Sequence, residues 1–343
     1  MSLIDKTLAY SALQQCEKVF YDQAIGSVVF RHPQEENNMN ATVATPVTST
    51  SSVKANAIKA SFPVRRMDFE FNQVPEYWMS GSAGLTHFMT ALSALFPDGE
   101  KFFVDSVRAV RYHPLLKDNA AMQKEISAFI GQEAMHSKEH VGFNQSANAY
   151  GHDVAGLERK TNRVIQTFRK GFAKLLKPVG ITQEMIDLTA TTALEHFTAT
   201  IASQLLQNEE IQAKMTDDTM YRLWMWHAVE ENEHKAVVYD VFEAIHGRGI
   251  KAYALRTSTM ALAMVILFIT QSYFAYRLLK RDGQFNAKSL GTIYKYAYSP
   301  KHGVITGMLP ELVDYFRPGF HPNDHDTHAL LARWKEKLGF NMH

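Results

Sequence analysis

Two motifs of the same type, Glu-x-x-His, stand about a hundred residues apart in apolar parts of the chain. The first runs from Glu133 to His136 and the second from Glu231 to His234. Residues three apart on an α-helix project from the same face, so each motif can present one carboxylate and one imidazole to a common point. Carboxylate oxygens and imidazole nitrogens are ligands for divalent transition metals. The repeated motif therefore predicts a metal site built on helices.

Two further glutamates extend this pattern. Helical bundles that hold two iron or manganese ions use a Glu-x-x-His motif from each of two helices and a single Glu from each of the other two. Glu100 precedes the first motif, and Glu195 lies between the two motifs. The sequence therefore predicts a two-metal site, with iron as the expected metal, manganese as an alternative and dioxygen as a co-substrate. The six ligands predicted from this spacing are Glu100, Glu133, His136, Glu195, Glu231 and His234.

Small side chains surround Glu195 at helical spacing. Thr191, Thr198 and Ala199 stand where a fully buried helix would usually carry larger residues. Two interpretations stay open. These residues leave space for dioxygen or a substrate beside the metals, or they only allow neighbouring helices to pack closely.

The elements that must position these residues are predicted to be long helices. Apolar residues recur at three- and four-residue spacing, with Gly and Pro confined to the breaks between segments. No pair of strands is predicted, so the fold class is all-α. The expected helices span residues 82–95, 99–113, 119–149, 153–176, 182–207, 216–247 and 252–281.

Residues 1–60 differ in character from the rest of the chain. Residues 8–19 could form an amphipathic helix, whereas 37–52 are rich in Asn, Thr, Ser and Val. That composition is typical of a flexible arm. We therefore expect an N-terminal helical segment with a flexible arm over 1–60 and a helical metal-binding domain over 61–343.

Overall composition excludes several classes of protein. The formal net charge of +1 gives no electrostatic reason to expect nucleic acid as a partner. A single cysteine, Cys16, excludes an internal disulfide and any multi-cysteine zinc or iron–sulfur site. Residues 1–30 lack a basic start followed by an apolar run, so a cytoplasmic location is expected.

An uncharged stretch at 257–276 adds membrane association as an alternative to a purely cytoplasmic location. It contains a strongly apolar centre, with basic residues before and after it. About twenty apolar residues are needed to cross a bilayer, and this stretch only just meets that length. The alternatives are a buried bundle helix, a homodimer interface, or a helix that lies on or crosses the inner membrane.

The segments that carry the predicted ligands resemble two groups of proteins. FPDGEKFF (96–103), FIGQEAMH (129–136) and WHAVEENEH (226–234) resemble a bacterial family described as predicted metal-dependent hydrolases, over roughly residues 62–335. They are also similar to the ferritin-like di-iron carboxylate proteins. This resemblance implies a ferritin-like four-helix bundle with additional helices.

The segment around the second motif is similar to that of bacterial arylamine N-oxygenases. His227 stands four residues before Glu231, and the resemblance implies that His227 is a seventh metal ligand. It also implies that Glu230 and Gln132 hold ligand histidines from the outer side of the site. We expect Glu230 to pair with His136 and Gln132 to pair with His234, because ligating histidines usually donate their other N–H to such partners.

Two functions are compatible with these observations. The leading hypothesis is a non-haem di-iron oxidoreductase, namely a hydroxylase, desaturase or N-oxygenase, that uses dioxygen on a lipophilic small molecule. Its electrons would come from an external donor or reductase, since the chain has no flavin, nicotinamide or iron–sulfur motif. The alternative is a metal-dependent hydrolase, because two metal ions can lower the pKa of bound water.

Overall fold

A computed structural model of the protein describes residues 60–340, which lie in the unit Ala60–His343. The amphipathic helix and flexible arm expected within residues 1–59 lie outside the described residues. Within 60–340 the protein is all-α and contains no strand. The expected fold class is therefore confirmed at that level.

Several of the helices begin where a polar side chain caps them. Ser82, Asn119, Thr182 and Asp217 each accept a hydrogen bond from the backbone N–H three residues later. Such caps satisfy donors that have no partner within the helix. The α-helices up to Arg281 are α1 (Ala83–Ser93), α2 (Phe96–Val110), α3 (Ala120–Ala149), α4 (Val154–Leu176), α5 (Gln183–Gln207), the short α6 (Glu209–Gln212), α7 (Asp218–His234), α8 (Val237–His246) and α9 (Ile250–Arg281).

Two predicted boundaries are wrong. The helix expected at 216–247 is divided into α7 and α8 at Lys235 and Ala236, although no Gly or Pro stands at this break. The Lys235 Nζ donates there to the His325 carbonyl and to the Thr327 hydroxyl. Helix α2 begins at Phe96 rather than 99, because Pro97 occupies the first turn, where its missing N–H costs nothing.

Four helices surround the centre of the domain. Helix α2 packs against α3 and α5, and α7 packs against the same two helices from the other side. Helix α4 covers α2, α3 and α5, whereas α9 lies against α1 and α5. An apolar cluster at one end, which includes Val107, Phe129, Leu188 and Val238, fixes the spacing of these helices.

The chain after α9 forms shorter elements that cover the bundle. They are α10 (Ala287–Ile293), a π-helical turn (Tyr294–Tyr298), α11 (Val304–Gly307), α12 (Leu309–Asp314) and α13 (His328–Leu338). Trp334 of α13 is buried and donates from Nε1 to the Leu206 carbonyl, which ties α13 to the end of α5.

Candidate metal centre

The seven predicted ligands converge on one point between α2, α3, α5 and α7. Each of the four helices contributes at least one carboxylate, and each of the seven residues is at most 3% exposed. Isolated buried charges of this kind are costly unless they are paired or bound to a metal. The converging residues are Glu100, Glu133, His136, Glu195, His227, Glu231 and His234.

Glu133 and Glu231 lie in the middle of this cluster. The Glu133 Oε1 is 3.5 Å from the His136 Nδ1 and 3.2 Å from the His234 Nε2. Glu231 uses both oxygens, with Oε1 3.6 Å from the His136 Nδ1 and Oε2 3.7 Å from the His234 Nε2. Each of these two carboxylates therefore reaches both halves of the site, as a ligand that bridges two cations must.

The other carboxylates belong to one half each. The Glu195 Oε2 is 3.3 Å from the His234 Nε2. Glu100 lies in the opposite half, with its Oε1 3.7 Å from the His227 Nε2. The donor atoms of Glu133, Glu195 and His234 lie within 4.8 Å of one another, as do those of Glu100, Glu133 and His136. The cluster thus divides into two adjacent sets that share Glu133.

The atoms that face the centre have no hydrogen-bond donor or acceptor among the described residues. These buried atoms are both carboxylate oxygens of Glu100, Glu133 and Glu195, the Oε2 of Glu231, the Nδ1 of His136 and the Nε2 of His234. Buried polar atoms are almost always satisfied, so such a concentration at one point needs an explanation. Four carboxylates can carry four negative charges, which two divalent cations would offset. The residues therefore fit a two-metal centre.

His136 is oriented from outside the cluster by Glu230. The His136 Nε2–H donates to the Glu230 Oε2 at 3.0 Å, and the other Glu230 oxygen accepts from Arg65 at 2.9 Å. Since the proton of a neutral His136 is then on Nε2, the Nδ1 lone pair points towards Glu133 and Glu231. This pairing is the hydrogen bond expected from the sequence.

His234 is oriented in the same manner by Gln132. The Gln132 Nε2 donates to the Pro63 carbonyl at 2.8 Å and to Glu233 at 2.9 Å, which fixes the orientation of the amide. Its Oε1 must then accept from the His234 Nδ1–H, at 2.9 Å. The His234 Nε2 lone pair is thereby directed at Glu133 and Glu195, and this second expected hydrogen bond is also present.

His227 is oriented by a chain of buried polar side chains. The Asn144 Nδ2 donates to the Ser93 carbonyl at 3.1 Å and to Glu158 at 2.9 Å, so its Oδ1 accepts from the Ser93 hydroxyl. The Ser93 oxygen then accepts from the His140 Nδ1–H, at 2.8 Å. The His140 Nε2 is left to accept from the His227 Nδ1–H, at 2.7 Å.

This chain leaves the His227 Nε2 as a lone pair only 2.9 Å from the Glu231 Oε1. A lone pair and a carboxylate oxygen repel each other at that distance unless a cation or a proton lies between them. Burial and the charge of His136 lower the pKa of His227 to about 4, which favours its neutral form. His227 is therefore suited to be a neutral nitrogen donor.

The carboxylates have strongly shifted pKa values. Burial and repulsion by Glu133 raise the pKa of Glu195 to about 8, and the same two causes raise the pKa of Glu100 well above its usual value. Burial opposes the charged form of His136, but the nearby carboxylates of Glu133 and Glu230 outweigh this and raise its pKa to about 10. Protons thus supply positive charge that metal ions could supply instead.

Several residues of the site were not anticipated from the sequence. Arg65 contacts both Glu230 and Glu233, and it therefore supports the partners of His136 and His234 together. His140 is the second such residue, because its Nε2 is in hydrogen-bond contact with the His227 Nδ1. The only available signal was the spacing of His140, one turn beyond His136.

A cavity of about 1180 Å³ lies between α2, α4, α5 and α9, and its lining is mainly apolar. Glu100 and Thr198 both line it, so the cavity reaches a predicted ligand. Thr191 and Ala199, which were expected beside Thr198, do not line it. The Thr191 hydroxyl donates to the Ser106 hydroxyl at 2.7 Å, and the Ala199 carbonyl accepts from Asn232. These two hydrogen bonds join α5 to α2 and to α7.

The fold and the cluster define an all-α protein with buried Glu and His groups that could hold metal ions. Residues 63–326 match the model of the family described as "Predicted metal-dependent hydrolase", and the chain belongs to this family. The family resemblance noted from the sequence is confirmed. Of the two functions that the sequence left open, the family description favours metal-dependent hydrolysis. No curated protein and no solved structure matches the chain.

Proposed function

We propose that the protein is a two-metal enzyme with a ferritin-like four-helix bundle formed by α2, α3, α5 and α7, and that it oxidises a lipophilic small molecule with dioxygen. One observation carries the proposal. Buried carboxylate and imidazole atoms without partners face a single centre, while the opposite edges of His136, His227 and His234 are held by hydrogen bonds. Such a preorganised arrangement is typical of metal ligands supported by a second layer of residues.

The donor set supports iron, with manganese as an alternative. Four carboxylates and three imidazoles from helices resemble the ligands of bundle proteins with two iron or manganese ions. Iron held by these residues would supply the redox chemistry that the activation of dioxygen requires. The chain itself holds the donors, excludes water from the site by burial and admits a substrate from the apolar side.

The cavity supports the substrate class. Its walls are mainly apolar, and Glu100 and Thr198, which lie beside the proposed metal centre, also line it. Pockets of this composition bind molecules whose surface is mostly apolar, with a few polar groups to fix their orientation. Catalytic turnover of an oxidase or oxygenase also requires an external electron donor or reductase, which we include in the proposal.

Hydrolysis is the second candidate function, and the family description favours it. A metal-bound water with a lowered pKa would then be the nucleophile. The clustered carboxylates are compatible with this chemistry, and an ester with an apolar acyl group would suit the same cavity. The proposed location is cytoplasmic for either function, with attachment to the inner membrane considered below.

The two candidates respond differently to the metal. We expect protein loaded anaerobically with ferrous iron to consume oxygen when air is admitted, with two irons bound per chain. Zinc-loaded protein, which has no redox chemistry, should be inactive in oxygen consumption. Hydrolysis of a series of long-chain aryl esters by the zinc form, without oxygen uptake by the iron form, would contradict the oxidative proposal and establish the second candidate.

A further inference from the structure

Helix α9 has three faces with different surroundings. One face is packed against the domain and includes Met260, Phe274 and Leu278, which are buried. A second face, which includes Leu255 and Ile266, lines the cavity. The third face is exposed and apolar, and it is the surface for which a binding partner has to be found.

The exposed face forms a continuous stripe. Its large side chains are Val265, Phe268, Ile269 and Tyr273, which are 56%, 55%, 61% and 40% exposed. Only 17% of the most apolar 18-residue window of α9 is buried. A buried bundle helix, one of the alternatives for 257–276, would not leave such a surface. Exposed apolar patches of this kind mark contacts with proteins, ligands or membranes.

Basic side chains stand near both ends of α9. Lys251 is exposed at the N-terminal end, and Arg277 and Lys280 follow Tyr273 at the other end. Arg277 donates to the Tyr273 hydroxyl and Lys280 to the Tyr276 hydroxyl, and none of the three cations forms a salt bridge with a described residue. Anionic lipid head groups would complement these charges, and tyrosines are common at the level of the head groups.

The buried face of α9 determines its orientation relative to a bilayer. The Gln271 Nε2 donates to the Phe88 carbonyl, and the buried Arg256 donates to the Tyr315 carbonyl. Because these polar contacts hold the helix on the protein along most of its length, lipid cannot surround it as it would a spanning helix. The helix length and composition would allow a span, but the packing favours a helix that lies in the membrane surface.

The cavity lies directly beside this helix. Its second long wall is α4, where Val164, Phe168 and Phe172 line the space and are only partly buried. Along α5, the lining extends from Met185 to Thr198, a distance of about 20 Å at 1.5 Å per residue. An elongated apolar space that joins a lipid-facing helix to Glu100 suits an extended hydrocarbon chain.

We propose that α9 docks this protein on an anionic bilayer and that the adjoining cavity takes the acyl chain of a membrane lipid. The proposal rests on the proposed function only for the reaction of that acyl chain. Membrane docking and acyl-chain binding require neither metal nor turnover. It names the substrate class as long-chain lipids that enter beside α9.

The docking arm of the test uses the full-length protein and vesicle sedimentation. We expect binding to vesicles of phosphatidylglycerol and phosphatidylcholine, and weaker binding to phosphatidylcholine alone. Replacing Phe268 and Ile269 together by Gln should lower the partition coefficient by more than about tenfold. Each of Arg277→Gln and Lys280→Gln should lower it by about fivefold. The control is Tyr112→Ser, which removes another exposed aromatic side chain outside the stripe and should change nothing.

Two results would overturn the docking proposal. One is vesicle binding that is absent or is unchanged in the Phe268/Ile269 double variant. The other is a wild-type dimer that becomes monomeric in that variant, measured by light scattering, without vesicle binding. In the latter case a second copy of the chain covers the stripe.

The cavity arm uses cis-parinaric acid, a fluorescent fatty acid. Ala263 lines the cavity, whereas Ala261, two residues earlier, is exposed and does not line it. We expect Ala263→Phe to weaken probe binding at least tenfold and to leave vesicle binding unchanged, whereas Ala261→Phe should preserve probe binding. Equal probe affinity in wild type and Ala263→Phe would contradict the assigned cavity. Both arms work on metal-free protein, so their failure is distinct from failure of the oxidative proposal.

Discussion

Arg65 offers the most informative perturbation of the site, because it does not contact the metal-facing atoms. It donates to Glu230 at 2.9 Å and to Glu233 at 2.7 and 2.8 Å. Glu230 accepts from His136, and Glu233 accepts from the Gln132 amide that orients His234. Replacing Arg65 by Met therefore removes a support shared by both Glu-x-x-His motifs and keeps most of the side-chain volume.

The expected loss can be worked from these contacts. Removing one partner of a buried ion pair costs about 3 to 5 kcal/mol. The Arg65 side chain is 13% exposed, and Glu233 retains a salt bridge to Lys335 at 2.6 Å. We therefore expect a smaller decrease in the free energy of unfolding, about 2 to 4 kcal/mol. Disturbing the partners of ligand histidines lowers metal affinity about 10- to 100-fold.

The assay is a calorimetric titration of metal-free protein with cobalt(II), combined with the visible spectrum of the bound cobalt and chemical unfolding. The matched control is Arg66→Met, which changes the exposed neighbouring residue and should preserve affinity to within about twofold. Wild-type affinity and an unchanged cobalt spectrum in Arg65→Met would refute the reasoning that these hydrogen bonds orient the ligands.

Three further results are expected. His140→Phe should lower metal affinity about 10-fold or more, because His227 loses the acceptor for its Nδ1–H. His140→Gln should recover part of that affinity, because its amide oxygen can accept the same hydrogen bond. Equal affinities of the two variants in a metal titration would contradict this role of His140. Glu100 and Glu195 have raised pKa values in the metal-free protein, so protons compete with metal ions below those values. Between pH 5 and 8, the metal affinity should therefore rise by about tenfold per pH unit for each proton displaced. A metal affinity that is independent of pH, with no proton release in calorimetry, would contradict this competition. Ala190→Phe, which fills the cavity wall, should raise KM for a long-chain substrate and leave the metal content unchanged; an unchanged KM would place the substrate elsewhere.

The ligand set could be predicted because helical periodicity links spacing to direction. Residues at i and i+3 share a face wherever the helix packs, so Glu133 with His136 and Glu231 with His234 follow from the sequence. The expected partners Glu230 and Gln132 also form hydrogen bonds with those histidines. Their assignment as metal ligands and supports remains the proposal made above.

Tertiary contacts between distant segments could not be predicted in the same way. Arg65 precedes the first helix, and only the packing of that segment brings it to Glu233, 168 residues later. The relation of His140 to Ser93 depends on how α1 meets α3, which no local pattern encodes. The break at Lys235 likewise has no Gly or Pro signal, and the residues that contact Lys235 lie about ninety positions away.

The proposed two-metal centre depends most on Glu133 and Glu231, because each carboxylate lies near both His136 and His234. Elemental analysis of the purified protein, with protein concentration measured on the same sample, tests it most directly. We predict two iron or manganese ions per chain in the wild type and a loss of both in Glu133→Ala. The control is Glu125→Ala, which removes a carboxylate of the same helix and should retain both ions, because Glu125 accepts hydrogen bonds from Ser61. Metal-free protein that cannot be loaded, or an unchanged metal content in a folded Glu133→Ala variant, would contradict the account.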